Sequence, residues 1–275
     1  MKAESEPFEI THKIRGIAAI LIAMVFLSAF IINSMPNQPS TNKTVPSLSQ
    51  PKVAIVDHLS LTFPNQTFVE TITNILKQVG YTVDYYPGEN VTVELYRNLP
   101  TYGYKLVIFR VHSGLILGGG DSIFLFTSEP YSTQKYVYEQ LTDQIALTRL
   151  YVGGSPYFGI NEKFVKSSMK GTFTNTTIIM MGCNCMRYTT MAEAFVEKGA
   201  KACVGWNMSV SASNTDIVTM HLLQHLFIEK KKLKDAVSEA MKEVEPEPDL
   251  EYKTYLTYYP TEAGEQTVAN VNDRG

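Results

Sequence analysis

Two cysteines one residue apart, Cys183 and Cys185 in GCNC, and a histidine followed by small residues, His112 in HSG, are the side chains best suited to covalent chemistry here. A thiolate attacks carbonyl carbon, and a nearby imidazole either takes the thiol proton or stabilises the resulting charge. Small residues after His112 let the backbone N–H groups of Ser113 and Gly114 approach a developing oxyanion, and the N–H of Cys183 is a further donor. GCNC suits other roles less well. A metal clip needs two more ligands at suitable spacing, and no second Cys-x-x-Cys or Cys/His cluster follows. A redox pair ordinarily uses Cys-x-x-Cys at a helix start. A disulfide between Cys185 and Cys203 stays open outside the cytoplasm, with Cys183 left free. Cys203 by itself reads as a buried apolar strand residue. Cys183 is the favoured nucleophile and Cys185 the alternative one, and no metal or other cofactor is expected. His221 and His225 in HLLQH have ligand spacing, but they lack the glutamate of the zinc-peptidase motif, and a surface-to-core helix face accounts for them better.

The elements that must position these groups are legible as an alternation. Lys52–Asp57 (KVAIVD), Tyr81–Tyr86, Lys105–Val111 (KLVIFRV), Thr176–Met181 (TTIIMM) and Lys201–Trp206 are short apolar runs of the kind found in buried parallel strands. Between them, helical spacing predicts helices over Asn65–Val79, Val91–Leu99 and Thr190–Lys198, closed by Gly80, Pro100 and Gly199 respectively. The stretch YVYEQLTDQIALTRLY (residues 136–151) also reads as a helix, and two further helices are expected over Thr215–Ile228 and Leu233–Val244. GLILGGGDSIFLFTSEPY from Gly114 reads as a glycine-rich loop and one arm of a hairpin, and TYLTYYP as an edge strand. The sum is a three-layer α/β domain with at least five parallel strands. In such a sheet ligands gather beyond the carboxyl ends of the strands, where Asp57, His112 and Cys183 all fall. Adjacent third and fourth core strands would bring His112 and Cys183 to one edge.

Residues 16–32 (GIAAILIAMVFLSAFII) hold no charge, and Lys13 and Arg15 precede them. That length suits a hydrocarbon core of about 30 Å, and the basic flank orients the N-terminus inward. No convincing small-x-small cleavage site follows the apolar run, which favours an uncleaved anchor over the rival reading, a cleaved signal peptide. The expected layout is a cytoplasmic tail (1–13), a transmembrane anchor (14–33), a Pro/Ser/Asn/Thr-rich extracytoplasmic linker (34–51) and one large α/β domain (52–275). Sequons at Asn42, Asn65, Asn90, Asn175 and Asn207 agree with that side of the membrane. A net charge of −3 without a basic stripe argues against nucleic acid as a partner.

The stretches VIFRVHSG and IIMMGCNCMRYTTMAEAFVEKGAKACVGW resemble the two signatures of caspase-like cysteine peptidases, and are most similar to gingipain and CHAT-type sequences. The resemblance covers most of residues 52–245. It implies a caspase-like, flavodoxin-like mainly parallel sheet flanked by helices, with His112 at the position of the general base and Cys183 at that of the nucleophile. Two positions depart from the pattern: Ser113 stands between the histidine and Gly114, and Cys185 occupies a site usually held by Ser or Gly. In the family, residues after the fifth strand shape the specificity pocket, which points to Trp206 and Asp216. Trp206 is equally suited to the core and Asp216 to a helix start, while Asp57 suits either recognition of a basic substrate residue or a loop cap. The expected function is a membrane-anchored extracytoplasmic cysteine endopeptidase, a thiol protease, acting on a protein or peptide. The alternative is a non-catalytic surface module of the same fold that binds a protein or glycan. A different hydrolase or transferase on this type of sheet lacks its phosphate-binding loop, because GLILGGGD does not open a helix after a strand.

Overall fold

A computed structural model of the chain describes residues 50–115, 120–244 and 253–268. The expected tail, anchor and most of the linker lie outside these residues, as do part of the glycine-rich loop and the end of the chain. Among the described residues no helix is long and apolar enough to cross a membrane.

The elements follow in chain order: β1 (Lys52–Asp57), α1 (Gln66–Gln78), β2 (Thr82–Pro87), α2 (Val93–Asn98), β3 (Tyr104–Arg110), β4 (Ser113–Leu115), β5 (Ile123–Pro130), α3 (Val137–Leu141), β6 (Ile145–Thr148), β7 (Tyr157–Ile160), α4 (Glu162–Ser167), β8 (Thr176–Met180), α5 (Thr190–Glu197), β9 (Ala200–Trp206), α6 (Ala212–Leu223), α7 (Leu233–Lys242) and β10 (Leu256–Tyr259). The main sheet runs β10-β9-β8-β3-β1-β2. Its first five members in the chain are parallel, and β10 closes one edge antiparallel to β9.

Strand alternation sends side chains to opposite faces. Val53 and Ile55 join Phe68, Ile72 and Leu76 of α1 and Leu222 of α6 in one apolar layer. Ala54 and Val56 face the other layer, with Tyr96, Phe164 and Phe195 of α2, α4 and α5. The helix α1 begins where the Asn65 carboxamide accepts from the N–H of Phe68 at 3.0 Å, and Gly80 follows its end at φ 90°.

One departure from the expected elements has a clear cause. Residues 136–151 are not one helix: α3 stops at Leu141, Asp143 turns the chain at φ 55°, and Ile145–Thr148 is a strand. The strand β6 pairs with β7, Leu147 opposite Phe158, in a second sheet ordered β4-β5-β7-β6. Cross-strand pairing and burial outweigh local helical spacing there. The expected hairpin arm is β5, paired with β4 directly after His112.

Candidate active site

Strands β3 and β8 are neighbours, with Phe109 opposite Met180. The ladder continues one step further, since Met181 N–H donates to Phe109 O at 2.9 Å. His112 and Cys183 therefore leave adjacent strand ends. Gly182 permits the close approach: a Cβ there would lie 2.6 Å from Val111 O and would collide with the Ser113 hydroxyl. Backbone hydrogen bonds pin the turn beyond it, Asn184 N–H to Met208 O at 2.9 Å and Met186 N–H to Trp206 O at 2.8 Å. Asn184 takes a left-handed φ of 59°, which asparagine tolerates.

His112 and Cys183 both line a cavity of about 650 Å³, walled by the turn after β1 (Leu59, Thr62, Phe63) and by the start of α6 (Ser211, Ser213, Asp216). The Cys183 thiol is partly exposed and donates to Val210 O at 3.4 Å. His112 Nε2 is 3.1 Å from Thr62 Oγ1. No hydrogen bond joins the thiol to the imidazole; each is held at the cavity by its own partner. The imidazole packs against three rings, with centroids 5.5 Å from His58, 6.1 Å from Phe63 and 6.3 Å from Phe126. Burial, then the charge of Arg110, lowers the His112 pKa to about 4, so the ring is neutral near pH 7.

The other thiols are placed differently. Cys185 is fully buried, donates to Ser113 Oγ at 3.3 Å, and burial raises its pKa to about 12. Cys203 is also fully buried, and burial pushes its thiol up. All three cysteines are free, so Cys185 and Cys203 form no disulfide. Cys185 as alternative nucleophile is corrected by its burial: a thiol sealed in the core neither ionises readily nor meets a substrate. Ser113 ties the turn together, its hydroxyl donating to Cys183 O at 2.6 Å.

Phe126 N–H donates to His112 O at 3.0 Å. Antiparallel ladders alternate hydrogen-bonded and non-bonded pairs, which puts Gly114 opposite Phe124 in the next bonded pair and turns the Ser113 N–H away from β5.

The expected pocket residues divide. Trp206 is wholly buried, its indole N–H donating to Thr215 Oγ1 at 2.9 Å, and it is core, not pocket wall. Asp216 lines the cavity but is buried and committed: Arg110 Nε and the second terminal nitrogen (Nη2) each donate to it at 2.7 Å, and Asn65 Nδ2 at 2.9 Å. Asp57 is buried as well, accepting from Arg110 Nη1 at 2.8 Å, Tyr85 Oη at 3.0 Å and Ser60 N–H at 3.0 Å. It caps the turn after β1 and is not free to read a substrate. Arg110, fully buried between these carboxylates, is the residue that sequence reasoning missed; its signal is a charge inside an otherwise apolar strand run. Thr62 and His58 gave no such signal, because only the folded turn brings them to His112. Asn65, read as a sequon, spends its amide on α1 and Asp216.

His58 is buried with Nδ1 lacking a partner, and burial, then His112, lowers its pKa to about 4 from the usual 6.5. Two histidines with folded values below the unfolded one bind fewer protons when folded. Their contribution is complete above about pH 6.5 and is lost as pH falls toward about 4. The urea midpoint of the full-length chain is expected to drop between about pH 7 and about pH 5, and less so in His58→Phe. Equal midpoints at the two pH values in the wild type would count against this.

A comparison with known protein families finds no matching family model, and a comparison with curated proteins finds no match.

Proposed function

We propose that the chain is a caspase-like cysteine endopeptidase in which Cys183 is the nucleophile and His112 the general acid and base. What carries this reading is the meeting of the only partly exposed thiol with a neutral imidazole at one cavity, on adjacent strand ends, while the other two thiols are sealed in the core. Thr62 anchors Nε2, and Nδ1, without a hydrogen-bond partner among the described residues, is the nitrogen left to exchange a proton. Deprotonated Cys183 adds to the scissile carbonyl, and the oxyanion is received by the N–H groups of Cys183 and Ser113. His112 then protonates the leaving amine, and water, deprotonated by His112, hydrolyses the thioester. Gly114 drops out as a donor because the β4–β5 ladder occupies its N–H. The apolar stretch 16–32, with its basic flank, makes this a domain held outside the membrane, acting on a protein or peptide.

The test is thiol labelling of the native full-length chain with a peptidyl electrophile such as an acyloxymethyl ketone. One equivalent is expected at Cys183, none at Cys185 or Cys203, with the rate at least about tenfold lower in His112→Ala. Labelling at Cys183 that is slow and indifferent to His112 would favour the non-catalytic binding module.

A further inference from the structure

Away from the cavity, two helices bring polar side chains to one seam. His221, His225 and Glu229 recur every fourth residue along α6, the π turn (Gln224–Ile228) that extends it and the residue that caps that turn, and Glu239 and Glu243 recur on and just beyond α7. One-turn spacing stacks side chains on a single helix face, and here the two faces meet. His225 Nδ1 lies 3.1 Å from Glu229 Oε1 and 4.0 Å from Glu239 Oε2. Its Nε2 lies 3.2 Å from Glu243 Oε1, and Glu243 Oε2 is 2.5 Å from His221 Nδ1. The His225 side chain is only 5% exposed. Its Nε2 is out of line with Glu243 for a hydrogen bond, so a buried ring nitrogen is left without one.

Lys231 reaches into the same place. Its ammonium bonds Glu229 Oε2 at 2.6 Å and Glu239 Oε2, and stands 3.5 Å from His225 Nδ1. A cation thus already sits among one imidazole nitrogen and two carboxylates, held on a flexible stem that is 30% exposed. With Glu243 the seam carries three carboxylates against this one ammonium.

We propose that His225, Glu229 and Glu239 form a site for a divalent cation of the zinc type, for which the Lys231 ammonium is the resident competitor. The donor atoms lie within 4.8 Å of one another, and donors bound at about 2.0–2.2 Å to one tetrahedral ion stand roughly 3.4 Å apart, so small side-chain rotations suffice. A nitrogen with two carboxylates suits zinc better than magnesium or calcium, which take oxygen ligands in larger number. Coordination through Nδ1 would leave the ring proton on Nε2, 3.2 Å from Glu243 Oε1, where a small rotation of that carboxylate would bring it into line to accept. The metal would clamp α6 to α7 at the end of α6 remote from the cavity wall.

The experiment titrates zinc chloride, and separately cobalt chloride, into the full-length chain in detergent after Cys183 has been alkylated with iodoacetamide. One equivalent should bind, with a cobalt spectrum free of thiolate charge transfer. Glu229→Gln/Glu239→Gln, at half-exposed positions that leave the core alone, should weaken zinc by at least about tenfold. Lys231→Met should tighten it, by removing the competitor. The proposal is overturned if the wild type takes up no zinc or if the double variant binds it as the wild type does.

Discussion

On the proposed peptidase reading, Cys183→Ala is expected to abolish peptide-bond cleavage by the full-length chain, a loss of at least about 10⁴-fold in kcat, as for removal of a catalytic nucleophile. The fold should survive, because the thiol is partly exposed and makes one hydrogen bond, to Val210 O. Cys185→Ala should behave in the opposite way. That side chain is buried beside Gly205 and bonds Ser113, so its loss costs about 0.5–3 kcal/mol of stability while leaving most activity. His112→Ala should fall between, at about 10²–10⁴-fold in kcat/KM, with the fold intact. Progress curves on a fluorogenic peptide library, read beside urea unfolding, separate these cases. Cleavage that persists in Cys183→Ala and vanishes in Cys185→Ala would reassign the nucleophile.

Arg110→Met should be the most destabilising single change near the cavity, by about 3–5 kcal/mol. The guanidinium holds Asp57 and Asp216 together from the end of β3, and all three side chains are at most 3% exposed. Burial already pushes the Asp57 carboxyl above its usual range, against the attraction of Arg110. Without that guanidinium, two carboxylates remain in the interior with no cation, so they must take up protons or admit water. The triple variant Arg110→Met/Asp57→Asn/Asp216→Asn removes the uncompensated charges and should recover a large part of the loss. Urea unfolding of the single and triple variants measures both. A single variant within about 1 kcal/mol of wild type would show that the network carries little stability. The network also positions the wall of the cavity, since Arg110 donates to Phe63 O at 2.8 Å and Asp216 belongs to the first turns of α6.

The order of strands and helices was legible because apolar runs of strand length and helical spacings are local properties. KVAIVD, KLVIFRV, TTIIMM and KACVGW became β1, β3, β8 and β9 within a residue or so of their expected limits. The placing of His112 and Cys183 at the carboxyl ends of β3 and β8 followed from the same runs. What lies between residues 136 and 160 did not follow, because β6 and β7 exist through pairing with each other and with β5, and a spacing cannot report a partner. The sequence favoured Cys183 over Cys185 only through the family resemblance, and the physical reason needed the third dimension. Cys183 and Cys185 are equivalent as letters, and only the turn beyond Gly182 exposes one and buries the other. The sequence left Asp57 open between substrate recognition and a loop cap, and Asp216 between pocket and helix start; the Arg110 guanidinium between them commits both to structure. The seam of His225, Glu229 and Glu239 needs two helices to meet. By itself the sequence determined the five parallel strands of the main sheet and which chemically capable residues end them, through hydrophobic periodicity. Only the tertiary structure decided which of those residues face solvent, which are paired, and which are buried, because burial and pairing depend on segments far apart in the chain.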